Sequence, residues 1–389
     1  MALAVEDLLS AACRLEASDV HLTAGAPAML RVHGMLVAAA EAAASELFDG
    51  RESLAELLAR EPRWAGPLSA ADLQELAASL LGGDGTRRDR FLTTGSCDLA
   101  YQLPGQARFR VNVYRQRGSP AVAARRLSFR VPGLGELFGH QPGLAETVAQ
   151  LASLPRGLVL VTGATGSGKS TTLAAMVVHA VSQMARHVIT LEDPIEYLIA
   201  HGRGLVNQRQ VGEDVPGFAE GLRAALREDP DVIVVGEMRD PETIAAALTA
   251  AETGHLVLST LHTRTAAAAV TRVVDAFPPR DRDQVRIQFA ESIQGILAQQ
   301  LLPRAGGGTR LAAVEVLLAT PAVRAMIREG RIQEVPSAIQ TGSQEGMVPM
   351  DRALADLVRA GLVSEEEARE RCVMRQLFDS YLGGWFRVR

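Results

Sequence analysis

The sequence has 389 residues, 47% of them hydrophobic, and its 40 basic and 45 acidic side chains leave a net charge of −5. This composition is typical of a soluble chain with two domains of ordinary size, and the charge argues against a generally basic nucleic-acid-binding protein. No stretch approaches the ~18 consecutive apolar residues that a membrane-spanning helix needs. Charged residues are scattered through positions 1–20, which is unlike a signal peptide, so we expect a cytoplasmic protein.

Residues 1–130 predict an α+β domain. Apolar segments separated by turn signals over residues 1–37 indicate a helix followed by short strands, and the alanine-rich segment 38–60 indicates a helix. A further helix is expected from Ser69, as its N-cap, to Leu81, with Gly82 and Gly83 as its stop.

Alternation of residue type over Cys97 to Phe129 predicts strands. One face of this segment carries Arg108, Arg110 and Asn112, and the opposite face carries Phe109, Val111 and Val113. Proline and glycine then mark residues 131–140 as a linker. The three cysteines, at positions 13, 97 and 372, match neither a zinc site nor a disulfide framework, so we interpret them as small buried residues.

From residue 141 onward the pattern changes to apolar runs that alternate with helical segments. Runs of this kind indicate strands buried on both faces of a parallel sheet, as in α/β proteins. The four runs are 158–161, 187–191, 232–235 and 256–260. From about Gln284 the periodicity predicts mostly helix, interrupted at residues 306–308 by three glycines.

A single lysine is the sharpest feature of the sequence. Of the 40 Lys and Arg residues only Lys169 is a lysine, and it lies in the pattern GxxxxGK[ST], between an apolar strand and an apolar-periodic helix. Such a loop directs backbone N–H groups at phosphate oxygens, and the compact ammonium fits between the β- and γ-phosphates where a broad guanidinium would not. Ser170 would bind Mg²⁺. The expected nucleotide-binding residues are Gly163, Ala164, Thr165, Gly166, Ser167, Gly168, Lys169, Ser170 and Thr171.

Carboxylates follow two of the predicted strands. Glu237 ends the run at 232–235, where an acid can hold the Mg²⁺ shell or orient a water molecule. Glu192, Asp193 and Glu196 follow the run at 187–191. They indicate a site for a metal or an attacking water molecule, with a solvated acidic turn as the alternative.

Two histidines, His255 and His262, bracket the run at 256–260. Their spacing does not suit a zinc pair. We interpret His262 as a polar sensor at the end of a strand, whereas a structural role for His255 is equally compatible with the sequence.

An arginine-rich segment from Leu99 to Gly135 contains no acid among its arginines. It could bind nucleic acid, but few aromatic residues are interleaved with the arginines, so a solvated strand face and closure over nucleotide phosphates are the favoured interpretations. The arginines are Arg108, Arg110, Arg115, Arg117, Arg125, Arg126 and Arg130.

These motifs resemble the type II/IV secretion ATPase superfamily and, within it, the type IV pilus retraction (twitching motility) ATPases. The resemblance covers nearly the whole chain. It rests on ASDVHL, RFRVN, GATGSGKSTT, ITLEDPIEY, ALREDPDVIVVGEMRDPETI, AAETGHLVLSTLHT and IQTG. It implies a PAS-like N-terminal domain, a RecA-like P-loop ATPase domain, and a homo-hexamer that binds ATP and Mg²⁺.

The resemblance also implies roles for single residues. Lys169, Ser170 and Thr171 fall in the Walker A motif, and Glu237 falls in Walker B, where it would help bind Mg²⁺. Glu196 falls in the Asp box as the water-activating residue, and His255 and His262 make up the His box. The family's phosphate-sensing arginines correspond to Arg227, Arg239, Arg110 and one of Arg125 or Arg126.

Further features bear on the branch of the family. Residues 38–67 are longer than the corresponding family segment, and Ala164 replaces a frequent proline, a change we expect to be harmless. The chain lacks the four-cysteine zinc insertion of extension and type II secretion motors. Residues 322–329 are similar to the AIRNLIRE element of the retraction branch, which implies that the charged face of that helix couples the ring to the pilus base.

Three functions remain open at this point. The first is a motor that retracts a pilus at the cytoplasmic face of the inner membrane, bound to an inner-membrane platform protein. The second is an accessory retraction paralogue that docks on the main motor. The third is a nucleic-acid-stimulated RecA-type translocase, although no stable nucleic-acid partner is expected. Lys169, Glu196 and Glu237 together favour the first.

Overall fold

The computed structural model describes residues 3–82, 85–127, 130–141 and 143–383. It divides the chain into two compact units, Met1–Arg130 and Val131–Arg389. Within the described residues, no helix has both the length and the apolar character needed to cross a membrane.

The first unit is an antiparallel six-stranded sheet with the strand order β3-β2-β1-β6-β5-β4. Its strands are β1 Asp19–Leu22, β2 Met29–Val32, β3 Met35–Ala38, β4 Ser96–Leu103, β5 Ala107–Gln116 and β6 Ser119–Leu127. Its helices are α1 Val5–Arg14, α2 Ala39–Ala44, α3 Arg51–Arg60, α4 Ala70–Leu81 and α5 Gly85–Thr94, with a 3₁₀ turn at Pro62–Trp64.

Local sequence signals decide several of these elements. Ser69 caps α4 as predicted, because its hydroxyl accepts from the Asp72 amide and the Asp72 carboxylate accepts in return from the Ser69 amide. Gly82, the described part of the expected stop, follows α4, whereas Gly83 lies outside the described residues. On β5 the predicted faces are confirmed, with Val111 buried and Arg110 exposed.

The helix expected over residues 38–60 is wrong in part, because the chain forms α2 and α3 with a break between them. Gly50 precedes α3 with φ +77°, and a Cβ at this position would lie 2.2 Å from Arg14 O. Only glycine fits this approach. Helix α5 was not predicted.

The second unit is a seven-stranded sheet with the order β13-β12-β7-β11-β10-β8-β9. Its strands are β7 Gly157–Thr162, β8 His187–Glu192, β9 Leu205–Gln210, β10 Val232–Val235, β11 Leu256–Leu261, β12 Ile293–Leu302 and β13 Leu311–Leu318. β13 pairs antiparallel with β12, and the other neighbours pair in parallel. The four expected strands are therefore confirmed, and β9 is an addition.

Twelve described helices surround this sheet. They are α6 Leu134–Phe138, α7 Leu144–Ser153, α8 Lys169–Gln183, α9 Phe218–Ala225, α10 Pro241–Glu252, α11 Ala266–Asp275, α12 Arg282–Ser292, α13 Pro321–Arg328, α14 Val335–Thr341, α15 Met350–Arg359, α16 Glu365–Arg371 and α17 Arg375–Leu382, and a 3₁₀ turn occupies Ile332–Glu334. α6 corrects the expected linker at 131–140, since Leu134 and Phe138 are buried in the core of the second unit.

The prediction of mostly helix after Gln284 is wrong for residues 293–318. β12 lies between two strands and is buried on both faces, so its apolar run lacks the alternation that marks a half-buried strand. Gly295 is unfavourable inside a helix, and its missing side chain leaves room for Leu151, whose Cδ2 would lie 3.0 Å from a Cβ at this position. The three glycines at 306–308 lie in the loop between β12 and β13.

No disulfide joins the three cysteines, all of which the structure describes. Cys97 is buried, as expected, but Cys13 and Cys372 are only half-buried. The interpretation as small buried residues therefore holds for one of the three.

Candidate functional site

The predicted loop connects β7 to α8 and encloses the lysine. Gly163, Gly166 and Gly168 all have positive φ, a conformation that leaves backbone N–H groups free to converge. Lys169 is 8% exposed, and its Nζ donates to Gly163 O at 2.9 Å and Ala164 O at 3.0 Å. The ammonium is therefore held inside the loop by two carbonyl oxygens at the N-terminus of α8, where an anion is favoured.

The electrostatics of Lys169 identify its charged neighbours. Burial lowers the pKa of Lys169, and the negative charge of Glu196 partly opposes this shift. His262 in turn has a lowered pKa because of burial, together with the positive charges of Lys169 and Arg239. Charged and titratable groups that follow four strands, β7, β8, β10 and β11, thus influence one another at one edge of the sheet.

The three acids after β8 have different environments. Glu192 accepts hydrogen bonds from Thr190 Oγ1 at 2.6 Å and Gln208 Nε2 at 3.0 Å, and also from the backbone N–H of Glu196. Burial raises the pKa of Glu192. Asp193 is exposed and Glu196 is half-buried. Glu192 therefore positions the turn that carries Glu196. Because the three acids have different environments, neither of the two predicted alternatives, a metal or water site and a solvated acidic turn, describes all of them.

A hydrogen bond joins this turn to the phosphate loop. Thr171 Oγ1 and the Tyr197 hydroxyl are 2.8 Å apart, and Gln208 Nε2 donates to Tyr197 O. Because Thr171 follows the loop directly and Tyr197 follows Glu196, the contact fixes the acid relative to α8.

Glu237 lies two residues beyond the end of β10, close to the C-terminal end of β11. Its carboxylate forms an ion pair with Arg239, and its Oε2 lies 3.5 Å from His262 Nε2. The lowered pKa of His262 favours the neutral imidazole at pH 7. His262 can therefore exchange a hydrogen bond with Glu237 without adding a charge, which suits the predicted sensor.

His255 has the structural role that the sequence left open. Its Nδ1 lies 3.1 Å from Ala250 O and 3.3 Å from Thr253 Oγ1, at the opposite end of β11 from His262. At the site end, Thr162 Oγ1 donates to Thr263 O at 2.7 Å and accepts from Thr263 N at 3.0 Å. These bonds join the start of the phosphate loop to the residue after His262.

The remaining arginines are not all brought to the loop. Arg227 is exposed and donates to Arg223 O at 2.9 Å, within its own helical turn. In the first unit, Arg110 is exposed opposite Arg125 in the register of β5 and β6. Arg125 is paired with Asp19 at 2.7 Å, and Arg126 donates to Cys13 O at 3.2 Å.

The residues at the loop fit a nucleotide and Mg²⁺. A Cβ on Gly163 would lie 2.4 Å from Gln299 O, so the tight cradle requires glycine there. Ser170 is exposed at the first turn of α8, and Glu237 supplies a carboxylate. Mg²⁺ takes few protein ligands beside substrate phosphates and water, and a hydroxyl and a carboxylate are oxygen donors of the kind it binds.

Sequence reasoning missed two glutamines that support the site. Gln208 on β9 bonds to Glu192, and Gln299 on β12 bonds to the phosphate loop. Gln299 is 3% exposed. A polar residue inside an apolar run signals a buried partner, and this signal was available at Gln299.

Helix α13 buries Val323 and Ile327, and the charged face that the resemblance assigns to coupling is smaller than expected. Arg324 donates to Ala290 O at 2.7 Å, Glu291 O at 2.8 Å and Gln294 Oε1 at 3.0 Å. It therefore binds the C-terminal end of α12. Arg328 is exposed, so of these two arginines only Arg328 remains available for coupling.

Arg324→Ala is expected to lower the free energy of unfolding by about 2 kcal/mol, because several carbonyl oxygens lose a charged donor. Arg328→Ala, one turn along the same helix, should change it by less than about 0.5 kcal/mol. Chemical denaturation of both variants checks this. Equal stability of the two would contradict the assignment of Arg324 to the α12 end.

The chain matches the family model described as "Type II/IV secretion system protein" over residues 98–361. It is 43% identical over 376 residues to the type IV pilus retraction ATPase PilT of Pseudomonas aeruginosa, covering 96% of this chain and 99% of the relative. It is 36% identical to the type IV pilus ATPase PilU of the same organism, covering 93% of this chain and 87% of the relative.

A crystal structure of the pilus retraction motor PilT with bound ADP matches the model with a TM-score of 0.81 and 41% identity. The match covers 96% of this chain and 98% of that chain. The expected architecture, an N-terminal α+β unit followed by a RecA-like P-loop unit, is thereby confirmed.

Proposed function

Because the chain belongs to the type II/IV secretion system protein family and is an ATPase of that family, we propose that it is the motor that retracts a type IV pilus. The observation that carries the proposal is the buried Lys169 in its glycine loop, with Glu196 close enough to oppose its pKa shift. A binding module would not need a carboxylate held beside the phosphates.

In the proposed mechanism, the loop amides and Lys169 bind the β- and γ-phosphates of ATP, and Ser170 and Glu237 would hold Mg²⁺. When bound, the metal ion offsets phosphate charge. Glu196 orients the attacking water and accepts its proton. His262, in its neutral form, responds to changes at Glu237 through the hydrogen bond that it can exchange with this carboxylate. Arg239 holds the Glu237 carboxylate in place through their ion pair.

We propose a homo-hexamer, in which Arg227 and Arg110 reach the phosphates of a site completed by another domain or subunit. This arrangement is supported by the exposure of both arginines, neither of which is held in an ion pair with a carboxylate in the described part of the chain. The ring would sit at the cytoplasmic face of the inner membrane and bind the platform protein of the pilus, and nucleic acid would not be a stable partner.

Arg110→Ala is expected to lower ATP turnover by at least about tenfold, because the shared site loses a positive charge. Turnover per subunit should also lose its dependence on protein concentration. Arg117→Ala, in the turn between β5 and β6, serves as a control for loss of a surface arginine. Unchanged turnover in Arg110→Ala, or turnover of the natural chain that does not depend on protein concentration, would overturn the shared site.

The motor function is tested by expressing the chain in a bacterium that lacks its own retraction ATPase. Twitching motility should return with the natural chain and not with Lys169→Ala. If motility returns only when another retraction ATPase is also present, the chain is an accessory paralogue, a role suggested by the presence of two relatives in one organism. A turnover increase on adding single-stranded DNA would favour the translocase instead.

A further inference from the structure

Gln299 joins the phosphate loop to a strand that none of the nucleotide motifs includes. In the register of β12 and β7, Ala298 lies opposite Thr162, the last residue before the loop. Gln299 is therefore level with the first loop residue. Its side chain is 3% exposed, so its amide must find its hydrogen-bond partners inside the protein.

Both the donor and the acceptor of the Gln299 side-chain amide form hydrogen bonds. Gln299 Nε2 donates to Ser167 O at 2.7 Å, and Gln299 Oε1 accepts from Thr172 Oγ1 at 2.8 Å. The reverse orientation would place the amide oxygen against the Ser167 carbonyl oxygen, where two acceptors repel. The amide therefore has one orientation, and its donor faces the loop.

The bond to Ser167 O has a consequence for the next amide. The peptide between Ser167 and Gly168 is trans, so its carbonyl and its N–H point in opposite directions. When Gln299 holds the carbonyl on the β12 side, the Gly168 N–H must point away from β12. Gly168 has φ +88° and no Cβ, so its own conformation does not prevent this peptide from rotating.

We propose that Gln299 is a positioning residue for nucleotide binding, which holds the peptide between Ser167 and Gly168 so that the Gly168 N–H donates to a phosphate oxygen. Gln299 does not touch the nucleotide in this scheme. It acts through Ser167, and the inference rests on the phosphate loop assigned under the proposed function.

The test measures ADP affinity and ATP turnover of the full-length chain carrying Gln299→Met, which keeps the length of the side chain and removes both hydrogen bonds. We expect the ADP Kd and the KM for ATP to rise at least about fivefold, with kcat at saturating ATP within about twofold of the natural value. Gln300→Met is the matched control on the same strand, because among the described residues the side chain of Gln300 has one hydrogen bond, from Nε2 to Arg371 O at 3.4 Å.

Gln299→Glu provides a second measurement, the pH dependence of ADP affinity, which a change in packing alone would not alter. A carboxylate at this position cannot donate to Ser167 O, but the protonated acid can. ADP affinity of this variant should be weak at pH 8 and recover toward pH 6, relative to the natural chain at each pH.

Unchanged ADP affinity in Gln299→Met, or a fall in kcat and melting temperature with KM unchanged, would overturn the proposal. Lys169→Ala separates this result from failure of the loop assignment. If Lys169→Ala loses ADP and Gln299→Met does not, only the role of Gln299 is wrong. If Lys169→Ala also binds ADP normally, the loop is not the nucleotide site.

Discussion

Replacing Lys169 with arginine is expected to reduce ATP turnover as severely as replacing it with alanine. Lys169 Nζ lies 2.9 Å from Gly163 O and 3.0 Å from Ala164 O, and the residue is 8% exposed. A guanidinium is wider than an ammonium and carries its donors in a planar fork, so it cannot take this place without moving the loop. Each charge-assisted bond to phosphate contributes about 1.5–3 kcal/mol.

We therefore expect kcat/KM to fall by at least about a hundredfold in both variants, since two such bonds are lost. Steady-state turnover and ADP binding measure the effect, and melting temperature verifies folding. Arg304→Lys, the reverse exchange in an exposed loop, should leave turnover unchanged. An arginine variant that keeps most of its activity would show that charge, and not size, is what the loop requires at this position.

Glu196→Gln is expected to separate nucleotide binding from hydrolysis. An amide cannot accept the proton of the attacking water, so kcat should fall by about 10²–10⁴-fold. ATP and Mg²⁺ should still bind, because Lys169 and the loop amides are unchanged. Trapped, unhydrolysed ATP after gel filtration is the expected sign.

Two other glutamates provide the comparison. Glu192→Gln retains an acceptor for Thr190, so it should reduce kcat far less than Glu196→Gln does. Glu237→Gln should raise the Mg²⁺ concentration needed for turnover, because an amide binds the metal ion less well than a carboxylate. Normal kcat in Glu196→Gln would remove this residue as the base. A Glu192→Gln defect of equal size would transfer that role to Glu192.

The parts of the fold that the sequence predicted are those set by neighbouring residues. Ser69 marked the start of α4 because capping depends on residues three positions apart. The four apolar runs marked the parallel strands, and the glycines around Lys169 marked the loop between β7 and α8. Glu237 and His262 follow neighbouring parallel strands, whose carboxyl ends lie at one edge of the sheet, which explains why the structure brings them together.

What the sequence could not provide depends on distant residues. Gln299 bonds to Ser167 across 132 positions of the chain, and Arg324 bonds to Ala290 across 34. In the sequence, Glu192 cannot be distinguished from the acidic residues near it. Its role differs from that of Glu196 because its carboxylate accepts hydrogen bonds from Thr190, Gln208 and the backbone amide of Glu196. Periodicity failed for β12 because burial on both faces removes the alternation.

The placement of β12 has a consequence for synthesis of the protein. All the nucleotide motifs precede residue 264, but β7, which leads into the phosphate loop, lies between β11 and β12. A ribosome-bound chain that ends before Ile293 would leave β7 as an unpaired edge, with the loop lacking its support. ATP binding should therefore arise late in translation, and truncations that retain every motif but end before β12 should be aggregation-prone and unable to bind nucleotide.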